Sequence, residues 1–102
     1  MSMRYALDFD GINRTALGVL PVLLRRWLPD GRHRGREYLA RNPTRDDRKL
    51  GSFSINMQTG TWADFADRTA KGGDVVSLFA YLRNIGQGDA ARELAHLLRI
   101  EQ

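Results

Sequence analysis

The chain contains no cysteine, and this constrains its architecture more than any motif does. No disulfide, thiolate nucleophile or ordinary structural zinc site is open to it, so stability must come from packing and hydrogen bonds. The 102 residues suffice for one domain with a modest core. Apolar residues make up 42% and charged residues 27%, the balance of a globular protein. No apolar run approaches the roughly 20 residues that span a bilayer, and Met1 to Asp10 lacks the basic start and apolar stretch of a secretion signal. A cytoplasmic location with no membrane partner is the expectation.

Glycine and proline divide the sequence into short elements. The first residues alternate weakly through Tyr5, Leu7 and Phe9, which predicts a short strand or docked arm over 1–17, ahead of a domain over 18–102. From Val19 to Leu28, the apolar residues Leu20, Leu23, Leu24, Trp27 and Leu28 recur at helical spacing, with Pro21 suited to a first turn. The turn Pro29-Asp30-Gly31 closes that helix. Three segments then alternate aromatic or apolar residues with polar ones, as strands do: Glu37 to Arg41, Ser52 to Asn56 and Thr61 to Phe65. The link from Met57 to Gly60 has hairpin length, so the last two should pair antiparallel with Phe53 and Ile55 on one face. The link from Asn42 to Gly51 is polar and charged, an expected exposed loop. Asp74 is placed to cap a helix carrying Val75, Val76, Leu78, Phe79 and Leu82, closed by Asn84 to Gly86. A last helix is predicted from about Gly88 to Arg99, burying Ala91, Leu94, Ala95, Leu97 and Leu98. The expected fold is α+β, a three-stranded antiparallel sheet with one helix before it and two after.

Charge is unevenly placed. From Arg25 to Lys49 there are nine basic and four acidic residues, a local +5, which leaves −1 for the rest of a chain whose net charge is +4. Such a segment concentrates polyanions and supplies phosphate contacts, the footprint of a nucleic-acid partner. A solvated loop with surplus arginine would look the same by charge alone.

In order, Gly35-Arg-Glu-Tyr38, Asn42-Pro-Thr-Arg45, Ser52-Phe53, Asp64-Phe-Ala-Asp67, Gly72-Gly-Asp74 and Ala91-Arg-Glu-Leu-Ala95 form a frame that resembles the N-terminal zinc-binding domain of bacterial and phage DNA primases. It is most like the cysteine-free versions in primase-helicases of phages and integrative elements. The resemblance covers roughly Leu20 to Leu98 and implies a zinc-ribbon-like fold that serves DNA replication. The family's four metal ligands correspond to Asn42, Arg45, Asp64 and Asp67, and two extra residues follow Asp67. Arginine has no lone pair to donate, so zinc is not expected. An arginine fork facing two carboxylates instead suggests a clasp, Arg45 to Asp64 or Asp67 with Asn42 alongside, whose disruption would cost about 3 kcal/mol if partly buried.

Other chemistry is thin. Asp64 and Asp67 alone make a poor magnesium site. His33 lies in the basic run and reads as a phosphate contact, and His96 as a surface or boundary residue on the last helix. No nucleophile, base and orienting acid assemble. Gly72-Gly73 lacks the Gly-Lys-Ser or Gly-Lys-Thr ending of a P-loop, and Asp74 would repel an anion, so the pair reads as a tight turn. No catalytic residue, metal or cofactor is therefore expected.

Trp27, Phe53, Phe65 and Phe79 are expected in the core, and Tyr38 and Trp62 exposed for stacking on bases. Expected phosphate contacts are Arg32, His33, Arg34, Arg36, Arg41, Arg48 and Lys49, with Arg45 shared with the clasp. The composite reading is a non-enzymatic module that binds DNA, more readily single-stranded, in replication or priming of a phage or mobile element. A primase or helicase is a possible protein partner. The alternative is a protein-interaction module derived from a primase domain, such as a replication accessory, an inhibitor of a host protein or a homodimer. Such a module would show a contiguous exposed apolar patch.

Overall fold

The computed structural model describes residues 8–44 and 51–99. Tyr5 and Leu7 of the expected arm, and Arg45, Arg48 and Lys49, lie outside those residues.

The part of the expected arm that is described is helical. Asp8 caps α1 (Phe9–Gly18) by accepting the Gly11 amide at 2.9 Å, and Ile12 and Ala16, one turn apart, are fully buried. These residues belong to the domain core, and Asn13 Oδ1 accepts the Val76 amide at 2.9 Å across 63 positions. After a break at Val19, α2 (Leu20–Trp27) begins with Pro21 in its first turn and buries Leu20, Leu23 and Leu24.

Five strands follow: β1 (Arg32–Arg34), β2 (Glu37–Ala40), β3 (Phe53–Asn56), β4 (Trp62–Asp64) and β5 (Asp67–Gly72). They form one antiparallel meander in the order β1-β2-β3-β4-β5. Then come α3 (Val75–Arg83) and α4 (Gln87–Leu97). Over the described residues the fold is thus α+β with four helices and a five-stranded sheet, which corrects the expected three strands, one leading helix and two trailing ones. β1 hides in the basic run because its side chains are all exposed and give no apolar alternation. It is defined by pairing, Arg32 with Leu39 and Arg34 with Glu37, across the two-residue turn Gly35-Arg36. Gly35 has φ +61 there, the first-position glycine of a tight hairpin. β5 arises likewise from a two-residue turn, Phe65-Ala66, that pairs Asp64 with Asp67, with a bulge at Ala63/Asp64.

The Met57–Gly60 hairpin and the Phe53/Ile55 face are as the alternation indicates: β3 pairs with β4, Phe53 opposite Asp64 and Ile55 opposite Trp62. Asp74 caps α3 in a reciprocal capping box with Ser77. The helix ends at Asn84 in the left-handed conformation. In α4 the buried set is Ala90, Ala91, Leu94 and Ala95, whereas Leu97 is 42% exposed, contrary to the predicted stripe.

Tyr38, Ala40, Phe53, Ile55, Trp62 and Ala70 join the helices' apolar residues in one core, so the helices cover one face of the sheet. Alternation puts Glu37, Leu39, Ser54, Asn56 and Ala63 on the other face. No described helix is long and apolar enough to cross a membrane.

Candidate nucleic-acid interface and the polar clasp

Two of the four residues expected in the clasp, Asn42 and Asp64, meet in the core. Asn42 (1% exposed) donates from Nδ2 to Asp64 Oδ2 (2% exposed) at 2.8 Å and to the Tyr81 hydroxyl at 2.8 Å. Its Oδ1 accepts from the Thr44 amide at 2.9 Å and the Thr44 hydroxyl at 2.7 Å. The Thr44 and Tyr81 hydroxyls lie 3.0 Å apart. Asp64 Oδ1 accepts the Ala66 amide at 2.9 Å, which shapes the β4–β5 turn. Strand β4, the end of β2 and helix α3 are therefore tied through one buried amide.

Asp67 does not join this cluster. Its Oδ1 accepts from the Thr69 amide at 3.0 Å and the Thr69 hydroxyl at 2.7 Å on the edge strand. The expected carboxylate pair is thus split between a buried tie and a local turn. The Arg45 member of the expected clasp lies outside the described residues. Tyr81 and Thr44 are partners that sequence reasoning missed; Tyr81 sits on α3 at a half-buried position with no local pattern to mark it. Among the described residues no group of His, Cys, Asp or Glu could hold a metal ion.

Tyr38 and Trp62, expected as exposed stacking rings, are buried at 2% and 5% exposure. The Tyr38 hydroxyl donates to the Leu28 carbonyl at 2.7 Å, and burial raises its pKa above the ordinary 10.0. The Trp62 indole donates to Ser77 Oγ at 2.9 Å and packs 4.9 Å from Tyr81 and 5.9 Å from Phe53. Gly72 lies against that indole and Ser77, where a Cβ would fall 2.5 Å from Trp62 Nε1. The first glycine of the pair therefore admits the tryptophan, while Gly73 meets nothing within 4 Å.

The opposite error concerns Phe65. Expected in the core, it is 75% exposed at the tip of the β4–β5 turn, while Trp27 packs partly buried at 5.0 Å from Phe79, which is 6% exposed. Phe65 borders a shallow hollow of about 180 Å³ on the helix-free face, together with Glu37, Ser54, Asn56, Thr61 and Ala63. Its amide donates to the Ser52 carbonyl at 2.7 Å, which fixes the position of the turn.

The cations flank this hollow. Arg32, Arg34 and Arg41 are all exposed, and alternation sets them on the same face as Leu39 and Ser54. One register row runs Arg32, Leu39, Ser54, Ala63, Lys71, with small or apolar residues between two cationic edges. Arg36 is exposed in the β1–β2 turn. His33 is exposed too, but alternates to the helix side, where its ring meets Tyr38 edge-on at 5.8 Å. Glu37 is the acidic residue at the hollow, and it accepts a hydrogen bond from Ser54 Oγ. Of the expected phosphate contacts, Arg32, Arg34 and Arg41 are brought together.

No family model, curated protein or solved structure matches the chain.

Proposed function

We propose that the chain is a non-enzymatic module that binds single-stranded DNA on the helix-free face of its sheet. Phosphates would lie along Arg32, Arg34 and Arg41, and a base would stack on Phe65. The observation that carries this is Phe65 itself. Cations on an edge strand are sufficiently explained by protection against strand addition, but that purpose gives no reason to hold a phenylalanine 75% in water. Stacking on a base does, and it stabilises a complex by about 1–3 kcal/mol per ring. Single strands suit this surface because the ring and the adjacent hollow take an unpaired base, and no described helix stands on that face to enter a duplex groove.

The resemblance to primase N-terminal domains supplies the wider context: replication or priming of a phage or mobile element, in the cytoplasm, alongside a primase or helicase. The test is fluorescence anisotropy with labelled oligothymidylate at two salt concentrations. Parent protein should bind with affinity that falls as salt rises, and Phe65→Ala and Arg32→Ala/Arg34→Ala should each weaken it. Binding that ignores both variants refutes the proposal.

A further inference from the structure

A second surface lies among the helices. Trp27 at the end of α2, Phe79 on α3 and Leu97 on α4 form the apolar lining of a groove of about 480 Å³, rimmed by Arg26, Arg83, Arg92, Glu93 and His96. Its floor is unusual for a nucleic-acid site. Phe79 is 6% exposed, and the Arg83 guanidinium lies 5.5 Å above its ring. Trp27 packs against Phe79 at a tilt of 38°. The Phe79 ring is thus largely covered by its neighbours, whereas Trp27 is partly exposed and the 42%-exposed Leu97 beside it offers apolar surface to a side chain. The volume falls in the range of clefts that hold drug-sized ligands, room for apolar side chains projecting from a docked segment but not for a whole helix.

The rim carries three arginines against one glutamate. Arg83 is paired with Glu93 at 3.1 Å and Arg92 with Asp89 at 2.8 Å. These pairs are half or more exposed, except that Glu93 is 43% exposed, so they exchange partners at little cost. Arg26 is exposed on α2. The lining nevertheless keeps a net positive charge, so a segment bringing carboxylates would meet complementary charge at Arg26 and at the exchangeable pairs of Arg83 and Arg92, whereas a basic one would meet like charge.

We propose that this groove docks an acidic amphipathic segment of a partner protein, with an aromatic or aliphatic side chain seated on Trp27, Phe79 and Leu97 and carboxylates on Arg26, Arg83 and Arg92. It is independent of the sheet face, and so of the DNA-binding proposal.

The probe is a fluorescein-labelled glutamate-rich peptide carrying Phe and Leu one helical turn apart. It is compared with a version bearing Gln for Glu and another bearing Ser for Phe and Leu. Anisotropy gives the affinity, and the indole N–H resonances locate the site, because Trp27 lines the groove while Trp62 is hydrogen-bonded to Ser77 and acts as an internal reference. The acidic amphipathic peptide should shift the Trp27 resonance and leave Trp62 in place. Both control peptides, Leu97→Ser, and Arg26→Glu/Arg92→Glu should each weaken binding by about tenfold, whereas Arg32→Ala/Arg34→Ala should leave it unchanged. The proposal is overturned if the peptide leaves the Trp27 resonance unmoved or either control peptide binds equally well. Loss of peptide binding with the β1 arginines, or a Trp27 shift produced by oligothymidylate, would also overturn it.

Discussion

Replacing Asn42 by alanine removes a buried amide that ties the chain just beyond β2 to β4 and α3, and the least consequence follows from its hydrogen bonds to Asp64 and Tyr81. The Asn42 Nδ2 bond to the buried Asp64 carboxylate at 2.8 Å is charge-assisted and worth about 2 kcal/mol. The bond to the Tyr81 hydroxyl at 2.8 Å adds about 1 kcal/mol. The bonds accepted from Thr44 add little, because Thr44 is exposed and water replaces them. The expected loss is about 3 kcal/mol, which for a domain of this size lowers Tm by upwards of about 12 °C. Asp67→Ala serves as the control. It belongs to the same expected clasp, but among the described residues its side chain accepts bonds from the Thr69 amide and hydroxyl on the edge strand, so its loss should cost under about 1 kcal/mol. Urea unfolding of both variants and the parent measures the difference. A cost below about 1 kcal/mol for Asn42→Ala, or an equal cost for Asp67→Ala, would refute the reasoning that the buried amide holds these elements.

Tyr38→Phe should cost about 1 kcal/mol at neutral pH, since the Leu28 carbonyl still accepts the Gly31 amide at 3.0 Å. Burial raises the folded-state pKa of Tyr38 above 10.0, so its contribution is complete below pH 10.0 and is lost as pH rises beyond it. Alkaline unfolding followed by circular dichroism should be less steep in Tyr38→Phe. Gly72→Ala, which drives a methyl group against the Trp62 indole and Ser77, should destabilise by about 1–3 kcal/mol, whereas Gly73→Ala should be nearly neutral by thermal melting. Phe65→Ala should leave Tm within about 2 °C of the parent, because the ring is exposed, yet weaken oligothymidylate binding by about 1–3 kcal/mol. Arg32→Ala/Arg34→Ala should flatten the logarithmic salt dependence of binding by roughly 1.4, about 0.7 for each phosphate no longer neutralised.

Elements with their own apolar period are legible in the sequence. The leucines of α2, the capping signal at Asp74 and the alternation through Phe53 and Ile55 all mark elements that the structure contains. What is not legible depends on partners elsewhere in the chain. β1 has three exposed side chains and exists only through its pairing with β2. α1 is obscured because an amphipathic helix burying just Ile12 and Ala16 leaves a faint stripe. The aromatic residues show where local pattern stops. Alternation through β4 and into the turn beyond it sets Trp62 and Phe65 on opposite sides, but it does not say which side is covered by helices, and the expected sides are reversed in the structure. Trp62 turns inward because Gly72 and Ser77 make room for its indole, a fact encoded ten to fifteen residues further on. Asn42 and Asp64 stand out only through a resemblance, and their shared hydrogen bond joins positions 22 residues apart. The additional partner Tyr81 follows from tertiary packing alone.

Amide chemical-shift mapping with unlabelled oligothymidylate tests the central claim most directly. The account predicts perturbations along Arg32 to Arg34, at Leu39, Ser54 and Ala63, and largest at Phe65, growing weaker as salt is raised. Perturbations absent from that face, or confined to the helices on the other, would contradict it.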